Sequence, residues 1–178
     1  IDSSKFSNFL DTAIVVRSQD EECDILPTKT FINMQIVLAR CVNATNTTFE
    51  NNANIAFKYG GAINCILTQE NHYFYVDRCN FTYCRASTKG GAIYFVNHKN
   101  CTQYNSITYC NFLRCFVYKN LILENPQLTE DEECQGGSVY CDASYVNFRN
   151  SIFNLSQLLG DGRGGAVYAK VISIDNYT

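Results

Sequence analysis

The chain has 178 residues, a formal net charge of −3 and 10 cysteines. That length is enough for one domain with a packed core, and the charge offers none of the clustered Lys and Arg that nucleic acid or an anionic membrane rewards. The longest apolar run, Met34 to Ala39, falls far short of the roughly 20 residues of a spanning helix, so neither nucleic acid nor a membrane-spanning segment is expected.

In chain order, Phe6-Ser7-Asn8-Phe9 followed by Ala13-Ile14-Val15-Val16 reads as a degenerate first copy of a repeat that is clearer downstream. The polar stretch 18–30, with Asp20-Glu21-Glu22-Cys23-Asp24 and Pro27, predicts a loop insertion. Phe31 to Cys41 is β-branched and apolar and predicts a strand. Two phrases then alternate. Phe49-Glu50-Asn51-Asn52 precedes Gly60-Gly61-Ala62-Ile63, and Phe81-Thr82-Tyr83-Cys84 precedes Gly90-Gly91-Ala92-Ile93. Phe112-Leu113-Arg114-Cys115 precedes Gly136-Gly137-Ser138-Val139, and Phe153-Asn154-Leu155-Ser156 precedes Gly164-Gly165-Ala166-Val167. A second insertion is expected over 116–135, where Asn125-Pro126 breaks regular structure.

Steps of about 30 to 40 residues between copies mark solenoids and arrays. Each copy offers three strand-sized pieces separated by Asn, Gly, Thr and Ser, including His72 to Val76, Ser106 to Tyr109 and Val171 to Ile174. Helical periodicity is confined to Tyr118 to Leu123, too short to outweigh the strands. The expectation is an all-β chain: a parallel β-helix of about five rungs over 1–178, with the glycine pairs at sharp corners. Ile63, Ile93, Val139 and Val167, with Cys65, Phe95, Cys141 and Ala169, are expected inside. Ala62, Ala92, Ser138 and Ala166, with Asn64, Tyr94, Tyr140 and Tyr168, are expected outside, the tyrosines forming a row able to stack on sugars. Phe49, Phe81, Phe112 and Phe153 should form an interior stack. Because Ile1 opens without Met or a signal-like segment, a piece of a longer repeat protein is expected.

The alternation of Gly-Gly-Ala-Ile with Phe-x-x-Asn resembles the repeat of the polymorphic outer membrane proteins, the Pmp family of chlamydial autotransporter passengers, and of related surface proteins of protists such as trichomonads. Only Phe49-Glu50-Asn51-Asn52 keeps the full second motif; Cys84, Cys115 and Ser156 replace its Asn. The resemblance implies a right-handed β-helix on a cell surface, used in adhesion or display, and no catalytic residues.

An even, high cysteine count suits an oxidising compartment. Cys79 and Cys84 bracket Phe81 as Cys110 and Cys115 bracket Phe112, so stacked copies would lay Cys79 over Cys110 and Cys84 over Cys115, at separations a disulfide spans under strain. Disulfides and buried thiols both fit; a metal site does not, with C-x4-C spacing and few histidines. Cys23, Cys41, Cys65, Cys101, Cys134 and Cys141 are candidate loop ties of unspecified connectivity. Sequons at Asn43, Asn46, Asn80, Asn100, Asn154 and Asn176 also point to a secreted glycoprotein.

No cofactor is expected. The acidic runs Asp20 to Asp24 and Glu130 to Glu133 match Ca²⁺ sites only in composition and read as solvated loops. His72 and His98 lack a marked nucleophile and read as surface histidines. Gly160-Asp161-Gly162-Arg163-Gly164-Gly165 fits G-x-G-x-x-G without a following helix and is read as a corner. Polysaccharide-degrading β-helix enzymes need convergent acids, whereas Glu50, Asp77, Asp142 and Asp161 fall at different positions of their copies. The expected function is therefore non-catalytic: extracellular adhesion or display toward a host or neighbouring-cell protein or glycan. A stalk or filament built by end-to-end self-association is the alternative, and a polysaccharide-degrading enzyme the second.

Overall fold

The computed structural model describes residues 14–16, 24–26, 30–32, 36–38, 42–52, 58–67, 72–97, 105–118 and 133–171. These residues form strands, turns and bends with no helix, and every strand pairing is parallel. The chain is all-β.

The largest sheet has six strands: Ile14–Val16, Ile36–Leu38, Ile63–Leu67, Ile93–Asn97, Val139–Ala143 and Val167–Val171. A five-stranded sheet holds Asp24–Leu26, Val42–Thr45, Phe74–Asp77, Ser106–Thr108 and Asn147–Arg149. A second five-stranded sheet holds Thr30–Ile32, Thr48–Glu50, Asn80–Thr82, Asn111–Leu113 and Ile152–Asn154. Arg85–Ala86, Phe116–Tyr118 and Gln157–Leu159 make a three-stranded sheet, and Cys134–Gln135 pairs with Gly162–Arg163. From 72 onward each copy supplies strands to these sheets in the same order, and equivalent residues are in register: Phe31, Phe49, Phe81, Phe112 and Phe153 are backbone register partners in turn.

Two expectations need correction here. Part of the loop assigned to 18–30 is strand, because Asp24–Leu26 pairs with Val42–Thr45. Ile36–Leu38 takes the place in the large sheet that the glycine-led strands occupy in later copies, so the single strand read over Phe31 to Cys41 is two strands belonging to different sheets. The large sheet thus takes six strands, while each of the two next largest sheets takes five. Of the second insertion, 116–118 and 134–135 are strand; 119–132 lies outside the described residues.

The core is a set of ladders. Phe49, Phe81 and Phe112 are fully buried, with ring centroids 4.9 and 4.7 Å apart and planes within 1° and 4°. Each such burial stabilises by about 1.5–3 kcal/mol, and each ring pair adds about 0.5–1.5 kcal/mol. Ile63, Ile93 and Val139 stack beside them, as do Cys65, Phe95 and Cys141, all buried. In the last copy the same face opens: Phe153 and Val167 are half-buried and Ala169 is exposed.

The glycine pairs 60–61, 90–91 and 136–137 pack two backbones closely. Gly90 has φ +61°, and a Cβ on Gly91 would lie 2.2 Å from the Gly137 carbonyl oxygen and 2.6 Å from the Phe116 nitrogen. Ala62, Ala92 and Ser138, which follow these pairs, are buried and Ala166 is half-buried, against the outward placement expected for all four. The Ser138 hydroxyl meets that of Ser156 at 2.6 Å.

Candidate binding surface

Two further corners interrupt each copy, and both are built by residues other than glycine in the left-handed region. Asn46, Arg78, Tyr109 and Asn150 occupy the first (φ 50–52°) and Asn51, Tyr83, Arg114 and Leu155 the second (φ 53–54°). For such side chains this conformation costs roughly 1–2 kcal/mol. Hydrogen bonds along the stack offset it: Arg78 N donates to Thr108 O, Tyr83 N to Leu113 O and Arg114 N to Asn154 O, at 2.9–3.0 Å.

The residue after each corner points inward and has a short polar side chain. The first corner gives Thr47, Cys79, Cys110 and Ser151; the second gives Asn52, Cys84, Cys115 and Ser156. Cys110 Sγ donates to the Thr108 carbonyl at 3.2 Å, and Ser151 Oγ to that of Arg149 at 3.3 Å. Cys115 Sγ likewise reaches Phe81 O at 3.4 Å. Cys79 therefore does lie over Cys110 and Cys84 over Cys115, but as hydrogen-bonding thiols.

Cys79, Cys84, Cys110, Cys115 and Cys141 are buried free thiols, and Cys65 and Cys134 are buried. Cys23, Cys41 and Cys101 lie outside the described residues. The Cys79–Cys110 hydrogen bond raises the Cys110 thiol well above its ordinary range and lowers that of Cys79. Burial raises Cys84 and Cys141.

The tyrosine row exists, with Tyr59, Tyr94, Tyr140 and Tyr168 stacked at 4.7, 5.0 and 5.4 Å. Tyr59 stands in for Asn64, which occupies the Tyr94 register position. The row is not an open display, however. Tyr140 is only 6% exposed, its phenol raised by burial and by Asp142 beside it, and Val96 and Asp142 in the adjoining row are also buried.

The outward aromatic surface is instead at the second corner. Tyr83, Arg85, Arg114, Phe116 and Tyr118 face away from the core, alternating with buried Cys84, Ala86, Cys115 and Val117. The Arg114 guanidinium lies 5.3 Å from the Tyr83 ring centroid and donates to its hydroxyl. Arg85 lies 5.0 Å from the ring centroid of Tyr118 and 5.9 Å from that of Phe116. Arg–aromatic stacking of this kind is worth about 0.5–1 kcal/mol at exposed sites and, more usefully, fixes the guanidinium plane. At the first corner Arg78 sits over Tyr109 but is paired to Asp77 at 2.6 Å.

The other sequence candidates disperse. Asn46, Asn80 and Asn154 are exposed and Asn43 half-buried, with Thr45 Oγ1 donating to Asn43 Oδ1; Asn100 and Asn176 lie outside the described residues. His72 is buried, not on the surface, and His98 lies outside the described residues. Glu133 pairs with Arg163 at 2.9 Å. Gly162–Arg163, read as part of a corner, is instead a strand paired with Cys134–Gln135, with positive φ only at Gly160 and Gly164 on either side of it. Among the described residues no group of three His, Cys, Asp or Glu is placed to hold a metal, and no helix is long and apolar enough to cross a membrane. No family model, curated protein or solved structure matches this chain.

Proposed function

We propose that the copies are successive turns of a right-handed parallel β-helix and that the chain serves, without catalysis, as an extracellular surface protein of the Pmp-like type in adhesion or display. The observation that carries this is the in-register stacking of copy on copy, with Phe49, Phe81 and Phe112 sealed inside. Such packing fills the interior with side chains and leaves only the outer wall for contact. The strong right-handed bias of connections between parallel strands supports the hand. Sequons on exposed Asn46, Asn80 and Asn154 support the compartment.

The test is binding of the labelled, purified chain to intact cells and extracellular matrix, alongside an assay for release of reducing sugars from polysaccharides. Saturable binding without turnover is expected. Turnover, or no binding to any surface, rejects the assignment.

A second reading, end-to-end assembly, is favoured by one observation. Ile152, Leu155 and Leu159 are 64%, 53% and 44% exposed on the last copy, whose strands each have a single neighbour among the described residues. Exposed strand edges template further pairing, whether by a further copy of the repeat in the same chain or by a second chain. Concentration-dependent growth in sedimentation, abolished by Ile152→Lys, would establish it.

A further inference from the structure

We infer that the second-corner cluster of Tyr83, Arg85, Arg114, Phe116 and Tyr118 is a binding site for an acidic glycan, with the two guanidinium groups taking its carboxylate or sulfate groups and the rings taking its sugar faces. The inference rests on the surface-protein reading above and names the partner class.

Three observations carry it. First, neither arginine has a carboxylate partner among the described residues, whose ion pairs are Arg78–Asp77, Arg163–Glu133 and Lys170–Asp142. A net charge of −3 makes two adjacent unpaired arginines a local exception. Second, Arg85 Nε is buried with no hydrogen-bond partner among the described residues, so no protein acceptor holds this guanidinium through Nε, and an oxyanion would be taken by its Nη N–H groups. Third, each guanidinium is laid on a ring contributed by the adjacent copy, which presets its planar fork for bidentate recognition of a carboxylate or sulfate. Tyr83 and Tyr118 remain 39% and 37% exposed, offering apolar faces with polar tips beside those forks. Among the described residues, Glu50 aligns with Thr82, one strand away in the Arg85 copy, and then with Leu113, two strands away in the Arg114 copy.

The probes are a heparin tetrasaccharide for sulfate, sialyllactose for carboxylate and chitotetraose as a neutral control, with poly-glutamate to detect an acidic polypeptide site. The full chain is expected to bind one or both acidic sugars, at least ten-fold more tightly than chitotetraose or poly-glutamate, and more weakly as salt rises. Arg85→Gln with Arg114→Gln should lower that affinity at least ten-fold while leaving the circular dichroism spectrum in place and lowering the melting midpoint by only the few degrees that loss of the two stacking contacts implies. Arg85→Lys with Arg114→Lys, which keeps charge but loses the fork, should recover less than half of the loss in binding free energy. Glu50→Gln should leave binding equal or tighter. Equal binding of poly-glutamate, unchanged affinity in the double Gln variant, or no binding of either acidic sugar overturns the site. If cell binding persists in that last case, the partner class fails and the surface reading stands; if cell binding is also absent, both fail.

Discussion

Phe112 lies on Phe81 with ring centroids 4.7 Å apart and planes within 4°, and the two residues are also direct strand partners. A truncation there opens a cavity in the middle of a ladder rather than at its end. Phe112→Ala is expected to cost about 3–5 kcal/mol. Phe153→Ala, at a half-buried position of the same ladder, should cost clearly less. Urea unfolding of the two variants measures the difference, and equal losses would contradict the ladder.

The glycine pairs make a sharper comparison. A Cβ at Gly91 would meet the Gly137 carbonyl oxygen at 2.2 Å, whereas a Cβ at Gly165 would meet nothing within 4 Å. Gly91→Ala should therefore unfold or strongly destabilise the chain, because the obstacles at Gly91, the Gly137 oxygen and the Phe116 nitrogen, are backbone. Gly165→Ala should shift the melting midpoint by only a degree or two, in the range of a tolerated surface change of about ±0.5 kcal/mol. The pair separates close packing from loop flexibility as the reason for the repeated doublet.

How much of this was legible in the sequence follows from which residues signal it. The interior rows led by Ile63 and Phe49 were readable because the alternation of a strand has period two and the copies repeat it. Ile36–Leu38 was hidden because three-residue strands carry too little alternation to be cut out of an apolar run. The second-corner site was missed for another reason. Left-handed corners are signalled by Gly or Asn, yet here Arg78, Tyr83, Tyr109 and Arg114 occupy them, whereas the tyrosines of the strand repeat in phase with the glycine pairs. Those strand tyrosines are partly or wholly covered, which no local pattern announces.

The corner ladder of Thr47, Cys79, Cys110 and Ser151 shows what the position requires: a small side chain able to donate to the carbonyl two residues back. Cys110→Ser should then be tolerated to within about 1 kcal/mol, while Cys110→Leu, which removes the donor and overpacks, should cost about 1–3 kcal/mol. Thermal melts of both variants check this. A serine variant as damaged as the leucine one would show that the thiol does something beyond donating.

The buried thiols also set an alkaline limit. Cys84 and Cys141 are raised above the ordinary thiol value of 9.0 by burial, so the folded chain keeps protons that the unfolded chain releases above that value. By linkage, stability is unaffected below about pH 8 and falls as pH rises past 9, by up to about 1.4 kcal/mol per pH unit for each such thiol. Native chain at pH 8 should accordingly resist iodoacetamide at Cys84 and Cys141, since the thiolate is the reactive form, and react fully in 6 M guanidinium, as read by peptide mass mapping. Rapid labelling of Cys141 in the folded chain, or a melting midpoint unchanged from pH 8 to 10.5 in the parent chain, would contradict the assignment of these cysteines to a sealed interior.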